Sequence, residues 1–522
     1  MSRHPNTHLF APLVLLCGLG SAACNSLTKL DQYRVGSPTA TEPEAACVSN
    51  QQCTDDATKA AGSSDAVAAV CVQASGKCVP LLSDDCTTIT GDYTSDDAIV
   101  IGSLFSTVGA QAATNIERQQ SAMLAVSQIN DVGGVPSSTD VPRKLVMVSC
   151  DESTDLMRVS DHLVNELHVP AIVGPNTSQD TLDLSTSVSV PGDTVVISPT
   201  AVASSIGALL DNDLTWLMVP TDVQRAPLMI SQINVLETSL KAARSEDSIK
   251  LGIVYRNDAL GIGTRTSLNG LVLNGKPLSD SVNLGNNVHI NPYDYTADNQ
   301  DPIVQEYLTF LPDIIVLAGT AEAVTKVMNP LEAAWPANAP RPAYVLIDSV
   351  KVPDLITAVT GNDDLRTRIR GTGVTPSPMS APVYDAFKVD YQVAYPNSAM
   401  VSGMGPAYDA TYAIAFALAA KMDEPISGTS IAEGLRMLGS GDTMEIGATK
   451  ATTAFQRLAA GQSIDALGTY SALSWSMDGT VVGGTLEMWC IAGPSAKPAY
   501  GSSGLTFDIM SGTQAGQYMQ CN

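Results

Sequence analysis

The segment HVPAIVGPNTSQDTLDL, residues 168–184, carries an apolar run into Gly174, Pro175, Asn176, Thr177 and Ser178 and then into a helical pattern. A strand that feeds a helix through one tight corner is a building unit of parallel α/β folds. Gly-Pro ends the strand, and Thr and Ser at the helix start satisfy N–H groups that have no partner inside the helix. The same donors can hold the carboxylate of a small molecule. The corner alone therefore admits two readings: a cap that serves its own helix, or part of a ligand site.

The alternation extends to both sides. AIVIGSL reads as a buried strand, and NIERQQSAMLAVSQIND follows as a helix with Ile116, Ala122, Met123, Val126 and Ile129 on one face. Gly133 and Gly134 close it. KLVMVSCDES is the second strand, LMRVSDHLVNEL the second helix, VPAIVG the third strand and DTVVISPTA the fourth. After LTWLMVPTD a similar set begins, with strands IKLGIVY, DIIVLAG and AYVLID separated by helical segments. Two such sets in tandem predict two lobes. Further on, YDATYAIAFALAAKM is a helix, Ser430 to Glu433 reads as a capping box, and ALSWSMDGTVVGGTLEMWCI reads as a hairpin bending at MDGT.

Composition narrows the function. At 522 residues the chain exceeds one ordinary core, and its 44% hydrophobic content supplies globular interiors. Asp and Glu total 53 against 28 Lys and Arg, a net charge of −25 that repels phosphate backbones, so nucleic acid is not a partner. The N-terminus, with Arg3, the apolar LFAPLVLLCGL and the small residues GSAAC, reads as an export signal over 1–23. Its eleven apolar positions fall short of the ~18 that mark a membrane span. SAAC resembles a bacterial lipobox, which implies lipidation of Cys24. That motif usually has Leu where this chain has Ser21. Ordinary cleavage after Ala23 is the alternative.

Eight cysteines remain in the mature chain: Cys47, Cys53, Cys71, Cys78, Cys86, Cys150, Cys490 and Cys521. An even number in an exported chain implies disulfides, with the pairing open. Zinc fits poorly, because no C-x-x-C occurs and only His162, His168 and His289 remain after the signal. No metal is expected. Residues 24–46 read as a polar tether, and 47–86, with five cysteines and little apolar mass, as a disulfide-rich segment.

Catalytic and cofactor motifs fail on inspection. GLVLNGKPL has Pro277 where a phosphate-binding loop needs Ser or Thr, and GIGTRT lacks the third glycine of a dinucleotide fingerprint. No G-x-S-x-G elbow accompanies the histidines, so His162 and His168 read as packing or surface residues. DYTADNQD lacks the glycine and terminal glutamate of a calcium loop. No cofactor and no enzymatic activity are expected.

In order along the chain stand IVIGSLFSTVG, SAMLAVSQINDVGGV, KLVMVSCDESTD, VPAIVGPNTSQDTL, VVISPTAVAS, LGIVYRNDALGIG, DIIVLAGTAEAV, GPAYDATYAIAFALAA and LSWSMDGTVVGG. Together, from about 97 to 494, they resemble the type I periplasmic binding proteins of the branched-chain amino acid group. The resemblance implies an α/β protein of two Rossmann-like lobes with parallel sheets joined by a three-crossing hinge, preceded by the small disulfide-rich segment. It implies a ligand-binding domain over 97–495, with lobe one at 97–218 and 376–478, lobe two at 219–375 and 479–495, and a C-terminal tail at 496–522. Fold position implies Cys490 with Cys521 and Cys86 with Cys150.

The resemblance also implies a site. Ser178, beside Thr177, offers hydroxyl and N–H to a ligand carboxylate, Thr200, Ala201 and Val202 add contacts, and Asp348 faces an ammonium group. Val202 stands where leucine binders have a threonine, and Leu260 and Thr320 stand where they have tyrosines, so the ligand need not be an amino acid. An amide or a small organic acid fits as well. The expected function is capture of a small polar ligand by an exported, lipid-anchored protein of the cell envelope, on the periplasmic face of a membrane, for delivery to an ABC permease. Asn25 after the lipid cysteine resembles outer-membrane sorting. A sensory receptor of the same fold, without a transport role, is the alternative.

Overall fold

Two parallel sheets carry the fold, built from aliphatic runs buried on both faces, as parallel sheets require. The computed structural model describes residues 46–109, 111–139, 141–298, 300–422 and 425–521; the signal segment, Cys24 and the tether through residue 45 lie outside them. Among the described residues no helix is long and apolar enough to cross a membrane.

The first sheet has the order Cys86–Thr90, Leu145–Asp151, Ile99–Phe105, Ala171–Val173, Val195–Ser198, Thr215–Leu217. All its pairs are parallel except the one made by Cys86–Thr90. The second runs Val288–Tyr293, Leu251–Arg256, Ile314–Ala318, Ala343–Leu346, Ile369–Thr375 in parallel. It then adds Thr485–Ala492, Ala499–Asp508 and Thr513–Ala515, all antiparallel. Apart from these antiparallel strands, both sheets place their second strand first, then the first, third, fourth and fifth. The loops leaving the first and third strands therefore diverge and open a crevice at the carboxyl ends.

Each sheet has its own core. One cluster draws on residues between Ile99 and Met218 and again between Val383 and Val481. The other draws on Met229 to Ile369, then Trp489 and Ile491. The chain thus passes three times between the cores. At the centre of the first lies the helix Met404–Ala420, buried along nearly its whole length. It is apolar almost all round, the pattern of a helix with no solvent face. The helix Ala112–Asp131 packs on it through Ala122, Ala125, Val126 and Ile129. Ile116, read as part of that face, points outward instead.

Several local expectations change in the folded chain. The capping box of the helix Gly428–Leu435 is Ser427 with Ser430, one turn earlier than Ser430 with Glu433. Trp475 bridges Val481 around the Asp478-Gly479 bend, but Thr485–Ala492 leaves that hairpin for the second sheet. The segment expected as a C-terminal tail supplies two strands of the same sheet. GLVLNGKPL forms a tight two-stranded turn from Val272–Leu273 to Lys276–Pro277, with no helix after it to receive a phosphate.

All eight cysteines of residues 46–521 are paired: Cys47–Cys71, Cys53–Cys78, Cys86–Cys150 and Cys490–Cys521. Cys53–Cys78 holds the helix Asn50–Ala61, and Cys47–Cys71 the residues just before it, to the hairpin of Ala69–Val72 and Lys77–Pro80. This segment is more than a staple. Val70, Val72 and Leu81 join Leu104, Val148 and Ile172 in a shared core that covers one face of the first sheet.

Two buried carboxyls couple this fold to pH. Burial raises Asp409, on the central helix, to about 8, although Thr469 donates N–H and hydroxyl to its Oδ2 at 2.8 Å. Burial likewise raises Glu152 to about 8; Ser106 holds one oxygen and the other has no partner. Both folded values lie above the unfolded ones, so between about pH 4 and 8 the folded state binds more protons and stability falls as pH rises. Asp409→Asn is expected to raise the denaturation midpoint at pH 8 and flatten its fall from pH 5. Urea titrations at the two pH values check this.

Candidate functional site

The corner at 174–178 sits at the crevice of the first sheet. Gly174 adopts φ +106°, and a Cβ there would lie 2.1 Å from the Leu104 carbonyl oxygen, so only glycine lets the third strand leave beside the first. Thr177 caps the helix that starts at Ser178, its hydroxyl accepting from the Asp180 N–H at 3.1 Å. Asn176 turns inward and donates to Asn115 Oδ1 at 2.8 Å, while Thr200 donates to the Asn176 carbonyl at 2.9 Å. Ser178 is buried, and its oxygen accepts from the N–H groups of Val202 and Ala203 at 3.0 and 3.1 Å. It therefore ties two loops together and keeps one hydroxyl proton for a further acceptor.

Arg118 extends this polar chain. It projects from the helix Ala112–Asp131, donating from Nε to the Ser402 carbonyl at 2.8 Å and from Nη1 to Asn115 Oδ1 at 3.1 Å. Gly403, at φ +89°, leaves room for it: a Cβ there would stand 2.7 Å from Arg118 Nε. Burial lowers the Arg118 pKa to about 10, with Asp348 and Tyr470 opposing, and the guanidinium stays charged at neutral pH.

The facing wall comes from the corresponding crevice of the second sheet. Arg256 ends its first strand, 2.6 Å from Asp258 and 3.8 Å from Glu322, and stacks 3.7 Å over the Tyr295 ring. Asp258 also caps the next helix through the Gly261 N–H. Thr320 follows the third strand, its hydroxyl engaged by Glu322. Asp348, beyond the fourth strand, is held by Arg225 at 2.5 Å. The two walls meet where the Ala259 N–H donates to Gln179 Oε1 at 3.3 Å.

Between the walls lies a cavity of about 130 Å³. Of the residues expected there, Thr177, Ser178, Thr200, Leu260, Thr320 and Asp348 line it. Ala201 and Val202 do not. Both are buried behind Ser178, with their N–H groups spent on Ser198 and Ser178, because the loop folds back on the corner. Asp348 is present but already paired with Arg225. Sequence reasoning missed Asn115, Arg118, Asn176, Arg256 and Asp258, all of which line the cavity. For Asn176 the signal was available, since it stands inside the quoted corner. For Arg118 it was not, because its helix is polar on more than one side.

No protein-family model matches the chain, and no curated protein resembles it significantly. Solved structures do. The branched-chain amino acid transporter substrate-binding protein of Streptococcus pneumoniae, in complex with isoleucine, is 17% identical with a TM-score of 0.55 over 78% of this chain and 99% of that one. A leucine-binding protein from Thermotoga maritima is 11% identical, TM-score 0.55, over 77% and 98%. An ABC transporter solute-binding protein of R. palustris, in complex with benzoate, is 12% identical, TM-score 0.54, over 78% and 96%. The fold is that of the type I periplasmic binding proteins. At these identities the likeness is one of fold, and the cavity between the two lobes of this type I binding fold carries the chemistry of its own residues.

Proposed function

We propose that this chain is an exported solute-binding protein that captures a small polar ligand between its lobes and delivers it to an ABC permease. The observation that carries the reading is the cavity where the crevices of both sheets face each other, walled by Asn176, Ser178 and Arg118 from one lobe and Arg256, Leu260 and Asp348 from the other. A ligand held by both walls favours their closed arrangement, which is how hinge closure on binding works. Three charged groups of the lining, Arg256, Asp258 and Asp348, are engaged with protein charges at 2.5–2.6 Å, which suits a shaped binding cavity. Lipidation at Cys24 would hold the protein at the envelope, within reach of a permease.

Thermal-shift screening of the full chain, produced in an oxidising compartment, against pooled amino acids, amides and small organic acids tests this. A hit is followed by calorimetry, with an expected Kd near micromolar, about 8 kcal/mol. Leu260 lines the cavity and is only partly buried, so Leu260→Trp is expected to fill the space, remove the binding heat and leave the ligand-free Tm unchanged. If no pool raises the Tm, or if Leu260→Trp binds as the unaltered protein does, the reading is wrong.

A further inference from the structure

The carboxylates around the cavity are already taken. Asp348 lies 2.5 Å from Arg225, and Asp258 lies 2.6 Å from Arg256. Lys351, the third lining cation, faces Glu487 at 3.8 Å. Arg118 differs. Among the described residues no carboxylate stands within ion-pair distance of it, and its guanidinium uses only the Nε hydrogen and one Nη1 hydrogen, on Ser402 and Asn115, of five N–H donors. A partly buried cation with unused donors is costly unless an anion completes it.

Its surroundings hold it ready for that anion. Ser402 and Asn115 fix the guanidinium plane, and Asn176 in turn fixes Asn115. Ser178, across the same wall, keeps a hydroxyl proton to give. The planar guanidinium fork matches the two oxygens of a carboxylate, and Ser178 lines the same cavity. A phosphate, carrying nearly two charges, would also meet Asp258 and Asp348. An ammonium on the ligand would find both of those carboxylates engaged by arginines.

Resting on the reading of this cleft as a solute site, we propose that its ligand is a monocarboxylate without an α-ammonium group, and that Arg118 is the residue that binds the carboxylate. The body of the acid lies toward Leu260 and Val352. A second groove of about 710 Å³, past Met400 and Tyr384, shares Thr114, Lys351, Val352 and Ser402 with the cavity lining.

The test compares three matched pools on the unaltered full chain: aliphatic and aromatic monocarboxylates, their primary amides, and the corresponding α-amino acids. The tightest acid is expected to bind roughly 10- to 100-fold more tightly than its own amide, the worth of a charge-assisted hydrogen bond, and no more weakly than its α-amino derivative. Arg118→Gln is expected to erase the difference between acid and amide, and Arg118→Lys to keep part of it. The comparison on the unaltered protein stands even if a variant folds poorly. An amide or amino acid that binds more tightly than the acid, competition by inorganic phosphate at lower concentration than the acid, or an acid preference that survives Arg118→Gln would overturn the proposal. An amide or amino acid that binds more tightly than the acid, at a site that Leu260→Trp abolishes, would overturn this proposal and leave the solute-binding reading standing. Silence from all three pools would overturn both.

Discussion

Gly174→Ala is expected to cost the protein about 4 kcal/mol or more, enough to unfold a large share of it at 37 °C. Two penalties act together. The positive φ of +106° is one that a side chain rarely adopts, and the new Cβ would stand 2.1 Å from the Leu104 carbonyl oxygen and 3.1 Å from its carbon. Neither neighbour is a flexible side chain, so the first and third strands of the sheet would have to separate. Relief would come at the cost of the corner that carries Asn176 and Ser178. Gly361 provides the control, with φ +78° and open space where a Cβ would go. Gly361→Ala is expected to cost only about 1–2 kcal/mol. Urea unfolding of the two variants, read at equal m-values, decides the comparison. Equal midpoints would mean that the strands do not approach as closely as described.

Glu332→Ala is expected to cost about 3–5 kcal/mol without changing ligand affinity. The buried carboxylate accepts from Tyr344 and Arg368 at 2.9 Å on one oxygen and from Arg368 and Arg341 at 2.6 Å on the other. Removing it leaves two guanidinium groups and a buried phenol facing one another. The phenol of Tyr344 is already held well above its ordinary pKa by burial and by this carboxylate. Glu332→Gln, which keeps the acceptor and gives up the charge, is expected to lose less. The group lies behind the second sheet, away from the cleft, so denaturation midpoints should fall while the binding heat of any cleft ligand stays the same. A fall in both would mean that the two regions are coupled.

The helix and strand order was legible because it is local. Apolar runs, the Gly-Pro break and the hydroxyl at the helix start all act within a few residues, and they are enough to place the corner at 174–178. The resemblance carried Thr177, Ser178, Thr200, Leu260, Thr320 and Asp348 to the cavity, since each follows a strand end and strand ends converge at the crevice. It failed for Ala201 and Val202, which follow a strand end too. Whether such a loop faces the ligand or folds back on its neighbour depends on the Ser178 hydroxyl 24 and 25 positions away.

By itself, then, the sequence determined the alternating elements, the two tandem sets, the covalent stapling by an even number of cysteines and the corner that opens the site. Each of these rests on periodicity, backbone preference or composition. The tertiary structure decided which loops face the cavity and, among the described lining residues, which charges are paired and which is not. Arg118 belongs to the site only because a carbonyl 284 positions later and the bare backbone of Gly403 receive its guanidinium. Asp348 is spent only because Arg225, 123 positions earlier, reaches it. Such pairings are long-range electrostatics and packing, and they exist only once the chain has crossed between its lobes.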